Sequence, residues 1–116
     1  RIVCDILHTH TALIANKRAI ADKWKKKKIE QISLMLQSAL AARHHVLLKM
    51  NVPSSSLNEV TSQLPSLHSP TVNQLTDRDW VAIETVVDRE QVRTLIPKLK
   101  AAGAQGILEI DLKHVS

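Results

Sequence analysis

Three groups of residues in this chain are of types that do chemistry, and their spacing limits what each can do. Ser69 and Thr71 flank Pro70 at the end of Leu64-Pro65-Ser66-Leu67-His68-Ser69-Pro70-Thr71, which holds a second proline at position 65. Proline fixes its own φ and biases the residue before it to extended geometry, so no helix continues and the loop is stiff. Two hydroxyls held there, each both donor and acceptor, can face a small zwitterion. The plainer alternative is a rigid turn between two elements. His8 and His10 stand two apart in His8-Thr9-His10-Thr11. On a strand they would share a face, as two metal ligands must, but no Asp, Cys or His at suitable spacing completes a set, and no metal site is expected. Lys23 and the run Lys25 to Lys28 read as a solvated helix face, or as a contact for phosphate or an acidic partner.

The elements that must position these residues follow from periodicity. Residues 1–16 carry short β-branched and apolar runs (Ile2, Val3, Ile6, Leu7, then Leu13, Ile14) that predict one or two strands. Over 18–43 the spacing turns helical, with Ile29, Ile32, Leu36 and Leu40 as the stripe and Met35 and Ala39 widening it. The lysines lie in its N-terminal half, where positive charge opposes the helix dipole. His44 to Val52 alternates as a strand, and Pro53 ends it. Ser56 and Glu59 have capping-box spacing, and Leu57, Val60, Thr61 and Leu64 mark one face of a three-turn helix closed by Pro65.

Beyond the proline loop, Thr71 to Leu75 reads as a short edge strand, Thr76-Asp77-Arg78-Asp79 as a turn, and Trp80 to Val87 as a β-branched strand. Asp88 is placed to cap the next helix, with Gln91 at the capping-box position and Val92, Leu95, Ile96 and Leu99 as its buried stripe. Pro97 predicts a kink there, and Gly103 suits the left-handed end of a helix. The last strand begins at Ile107, with Leu108, Ile110 and Leu112 alternating with Glu109, Asp111 and Lys113. Residues 44–116 thus run strand, helix, strand, strand, helix, strand, the order of an α+β ferredoxin-like βαββαβ domain of the ACT/PII-like kind, preceded by a strand segment and a long helix. One sheet face should be polar or covered by a partner, and the edge strand at Thr71 to Leu75 favours oligomerisation.

Composition bounds the reading. The chain has 116 residues, 44% of them hydrophobic, enough for one core, but aromatic content is 2%, with no Phe or Tyr and only Trp24 and Trp80, so Leu, Ile, Val and Ala must build that core. Cys4 is the one cysteine, which excludes an internal disulfide and suits a cytoplasmic setting. No apolar run approaches a membrane span, and no membrane partner is expected. The net charge of +5 comes largely from the lysine run. Arg1 leads straight into an apolar stretch, as in a piece of a longer polypeptide.

Val52-Pro53 with Leu57 and Val60, Leu64-Pro65, Ser69-Pro70-Thr71, Trp80-Val81-Ala82, and Leu95-Ile96-Pro97 through Gly103-Ala104 to Gly106-Ile107-Leu108 together resemble the C-terminal regulatory domain of the long form of ATP phosphoribosyltransferase. That enzyme is a glycosyltransferase that opens histidine biosynthesis. Leu13-Ile14-Ala15-Asn16 is similar to the end of its catalytic part, so residues 1–17 correspond to that tail, 18–43 to a connecting helix and 44–116 to the regulatory domain. The resemblance implies that L-histidine binds between subunits as an allosteric feedback inhibitor, with Asn51, Leu67, Thr71, Val86 and Gly106 contacting it. Thr71 and backbone groups would supply polar contacts, Leu67 and Val86 a wall, and Gly106 close approach. It also implies a homo-oligomer, a hexamer for the parent enzyme and a trimer for this fragment, with magnesium as a cofactor of the parent and none in this chain. Asn51 departs from the acidic residue of some family members, offering an acceptor without charge. The histidine-rich residues 8–11 are a second departure.

No catalytic residue is expected here, since a loop cradling the phosphates of a sugar donor is glycine-rich and the chain's only glycines are Gly103 and Gly106. Two other readings compete. A basic nucleic-acid module shares the element order, but such modules stack bases on strand aromatics that these strands lack. A stand-alone trimeric sensor of another small metabolite predicts the same fold with a different ligand.

Overall fold

The computed structural model of the chain describes residues 2–65 and 69–116. Two compact units divide it, residues up to Leu36 and the unit Gln37–Ser116. In the first, residues 2–16 form neither helix nor strand, where strands were expected. A strand needs a neighbour for its N–H and C=O groups, and the sheet of this chain takes in none of these residues. Ile2, Val3, Ile6 and Leu7 stay exposed.

The helix predicted over 18–43 is two helices, α1 (Lys17–Ala21) and α2 (Lys23–His44), separated by Asp22. Both starts are capped. Asn16 Oδ1 accepts from the Ala19 N–H at 2.8 Å, and Asp22 Oδ1 accepts from the N–H groups of Trp24 and Lys25 at 3.0 Å. A carboxylate at this position offsets the unfavourable meeting of lysines and helix dipole. The expected stripe is not buried: Ile32, Met35, Leu36 and Leu40 are all exposed, and the buried residues of α2 are the small Ser38 and Ala42.

The second unit carries the six-element order expected from the sequence. β1 (His45–Pro53) leads through a 3-10 turn (Ser54–Ser56) to α3 (Leu57–Gln63), then come β2 (Thr71–Gln74) and β3 (Trp80–Asp88), a second 3-10 turn (Arg89–Gln91), α4 (Val92–Ala101) and β4 (Gln105–Asp111). All pairs are antiparallel and the strand order is β2-β3-β1-β4. This is the ferredoxin-like arrangement. Alternation sends Val46, Leu48, Met50 and Val52 of β1 and Val81, Ile83 and Val87 of β3 to one face, where they pack with Val60 and Leu64 and with Val92, Leu95 and Leu99. The core is aliphatic, as the composition requires.

Neither expected capping box forms. Ser56 and Asp88 make no side-chain cap bond. Asp88 Oδ1 lies 3.2 Å from His45 Nε2 instead. Helix α4 runs on through Pro97, and its end is closed as expected: Gly103, at φ +104°, donates to Lys100 O, and Ala104 donates to Leu99 O, both at 3.0 Å. These two bonds make a Schellman motif, whose left-handed residue is best served by glycine.

Candidate functional site

The face of the sheet away from the helices carries Leu47, Lys49 and Asn51 from β1, Ala82, Glu84 and Val86 from β3, and Thr71 and Asn73 from β2. Cross-strand register orders these side chains in rows. Asn73 faces Ala82, which faces Asn51; Thr71 faces Glu84, which faces Lys49; Val86 faces Leu47. In the middle row Lys49 Nζ and Glu84 Oε1 form an ion pair of 2.8 Å, both half-exposed.

β4 joins this face by an irregular route. Lys49 is opposite Leu108 and Asn51 is opposite Gln105, so two steps along β1 match three along β4. The extra residue is accommodated at a bulge containing Gly106, whose φ of +56° is left-handed. Register decides the face of every later side chain. Leu108 and Ile110 therefore lie with Lys49 and Leu47 and are 57% and 39% exposed, while Ile107 packs against the core. On the helix side, Glu109 and Asp111 lie 4.0 and 2.9 Å from Arg89 Nη1.

Four of the five expected ligand residues lie on or beside this open face. Asn51 is exposed in β1, Thr71 is exposed at the start of β2, Val86 is half-buried in β3, and Gly106 is exposed at the bulge. Leu67 lies outside the described residues. The structure does not gather the four into one pocket. Asn51 and Gly106 share a cleft of about 410 Å³ with Leu75, Asp77, Trp80 and Gln105, whereas Thr71 and Val86 do not line it. A Cβ built on Gly106 meets nothing within 4 Å, so its side of the cleft is open and the glycine is there for its φ.

The hairpin end that supplies Leu75, Asp77 and Trp80 is well tied down. Asp77 Oδ1 accepts from the Asp79 N–H at 3.0 Å, the Trp80 N–H donates to Asp77 O at 3.1 Å, and Gln74 Nε2 donates to Arg78 O at 3.1 Å. Ser54 pins the turn from the far end of β1, its N–H donating to Asp79 O at 2.7 Å and its hydroxyl to Arg78 O at 3.1 Å. By sequence Asp77 belongs to a polar turn and Trp80 starts a strand. Alternation from the core residue Val81 was the available signal that Trp80 sits on the open side.

The other chemical groups stay apart. His8 Nε2 is 3.8 Å from Asp5 Oδ2, both side chains largely exposed. Among the described residues no group of three or more His, Cys, Asp or Glu is placed to hold a metal ion, and no helix is long and apolar enough to cross a membrane. Lys28 Nζ lies 5.9 Å from the centre of the Trp24 ring.

A family model described as "HisG, C-terminal domain" matches residues 42–114, more than half the chain and the whole of the sheet. The chain belongs to the HisG C-terminal domain family. Its relatives extend the likeness upstream of that domain. The ATP phosphoribosyltransferase of Nitratidesulfovibrio vulgaris is 56% identical over 99% of this chain and 39% of its own length. Those of Geotalea uraniireducens and Desulfosudis oleivorans are 49% and 53% identical, each over 99% of this chain and 40% of their own length. This HisG C-terminal domain chain thus spans about two-fifths of the curated relatives it matches.

Proposed function

We propose that this chain is the C-terminal regulatory part of an ATP phosphoribosyltransferase, binding L-histidine and conveying feedback inhibition to a catalytic part that lies outside it. The observation that carries the reading is the 49–56% identity to enzymes of that name along 99% of the chain. Residues 1–17 are then the tail of the catalytic part and 18–43 the connector. The exposure of Ile6, Leu7, Ile32 and Leu36 supports this, since such side chains suit burial against the rest of the enzyme.

Histidine binds on the open sheet face, with Asn51, Thr71, Val86 and Gly106 as contacts from the described residues. A homo-oligomer completes the site: Leu108 and Ile110 expose apolar surface on this face, and a neighbouring subunit would remove it from water. The trimer of this part and the hexamer of the parent follow from the family resemblance, as does a cytoplasmic setting. Magnesium serves the catalytic part. Inhibition requires histidine to favour one quaternary arrangement over another, a coupling of about 1–3 kcal/mol in typical allosteric proteins.

Calorimetric titration of the chain with L-histidine, with L-arginine and AMP as controls and sizing in the same buffer, tests the reading. Saturable heat with histidine alone, weakened by Thr71→Ala, supports it. A folded oligomer that takes up no histidine overturns it.

A further inference from the structure

Asn51 cannot supply the negative charge that an amino-acid ammonium calls for, and the cleft it lines contains one charged side chain, Asp77. We infer that Asp77 receives the ammonium of an amino acid bound between subunits, with Trp80 and Leu75 as the apolar wall on this subunit's side and the amides of Asn51 and Gln105 as donors to its carboxylate, while the contacts at Thr71 and Val86 come from a neighbouring copy of the chain. The inference rests on the histidine reading and adds four residues, Leu75, Asp77, Trp80 and Gln105, that neither the sequence nor the family resemblance assigned.

The geometry supports each role. Asp77 commits Oδ1 to the Asp79 N–H within its own turn, and among the described residues Oδ2 makes no hydrogen bond or ion pair. One oxygen thus holds the carboxylate in place and the other is open to a ligand, the preorganisation that a charge-assisted bond rewards. Trp80 is half-buried, stands on the same side of the sheet as Asn51 and Ala82, and lines the cleft. An indole face is apolar and attracts cations, which suits an imidazole in either protonation state. Gln105 and Asn51 are register partners across β4 and β1, which sets two amide groups side by side, and each NH2 can donate to a carboxylate oxygen. The volume of about 410 Å³ falls within the usual range for small-molecule sites.

The test uses Asp77→Asn, which keeps an Oδ1 to accept from the Asp79 N–H and removes only the charge. Wild-type and variant chains are titrated calorimetrically with L-histidine and with imidazolepropionate, which lacks the ammonium. The expected result is that the variant binds histidine about tenfold or more weakly than wild type, as loss of a charged hydrogen bond implies. Imidazolepropionate should bind both proteins equally, and about as weakly as histidine binds the variant. Equal histidine affinity in the two proteins would overturn the assignment of Asp77 while leaving the histidine reading standing. An equal loss for both ligands would overturn it too, because Asp77 would then be shaping the cleft and not meeting the ammonium. Failure of the wild-type chain to take up histidine would remove the histidine reading and this inference with it.

Discussion

Asp88 stands at the residue before a helical turn and gives its carboxylate to His45 on the neighbouring strand, 3.2 Å away, in place of the helix it precedes. His45 Nδ1 in turn lies 2.7 Å from Ala41 O in the last turn of α2. The imidazole therefore links the end of that helix to the end of β3. If Asp88 contributed as a cap, Ser would substitute for it; as a partner of His45, it should not be replaced by Ser. Asp88→Ser and Asp88→Ala should lose equal stability, and a double-mutant cycle with His45→Ala should show a coupling of up to about 1 kcal/mol in urea unfolding.

The two glycines should differ in their tolerance of alanine. At Gly106 the φ of +56° lies where L residues pay a moderate penalty, and a Cβ meets open space, so Gly106→Ala should cost about 1–2 kcal/mol. At Gly103 the φ of +104° is farther from any L-residue minimum, and the added Cβ would come within 3.3 Å of Ser56 Oγ. Gly103→Ala should lower the urea midpoint further than Gly106→Ala does.

Burial separates two leucines with the same chemistry. Leu99 is fully buried among both helices and the sheet, and Leu99→Ala should cost about 2–5 kcal/mol through lost transfer energy and the cavity left behind. Leu108 is 57% exposed on the open face, so Leu108→Lys should change the unfolding energy of the single subunit by under about 0.5 kcal/mol. The same change should shift sedimentation velocity profiles toward smaller species if neighbours cover that face.

Asp22 is the hinge between α1 and α2 and the cap of the second. Asp22→Ala should cost about 1 kcal/mol of helix stability and reduce the helical signal in circular dichroism. The loss should be larger at low salt, where the lysines that follow are least screened.

Element order was legible in this sequence because β1 and β3 bury every second side chain and α4 buries Val92, Leu95 and Leu99 at helical spacing, while prolines, polar turns and glycine mark off the shorter elements between them. What failed were inferences from local spacing where a distant group competes. Ser56 with Glu59 and Asp88 with Gln91 have the spacing of capping boxes, yet Asp88 is taken by His45, and the turn after β1 is held by bonds from Ser54 to the hairpin. The runs at 2–16 have the composition of strands, but pairing is not a local property. In the site, Asn51 and Gly106 were legible only through family resemblance. Asp77 and Trp80 join them because the hairpin end and the ends of β1 and β4 meet in space, a proximity no spacing in the chain encodes.

The bulge at Gly106 has a last consequence, one of counting. A strand assigns side chains to faces by odd and even position, and one inserted residue reverses the assignment for everything after it. Straightening the bulge with Gly106 still in place would turn Leu108 and Ile110 toward the helices and Ile107 outward and carry Glu109 and Asp111 away from Arg89, whereas deleting Gly106 would leave Leu108 opposite Lys49. A single residue of no side chain thus stores the parity of the last strand. A subunit that met its neighbours through Leu108 would lose them by a slip of one position in the pairing of β4, with every residue of the chain unchanged.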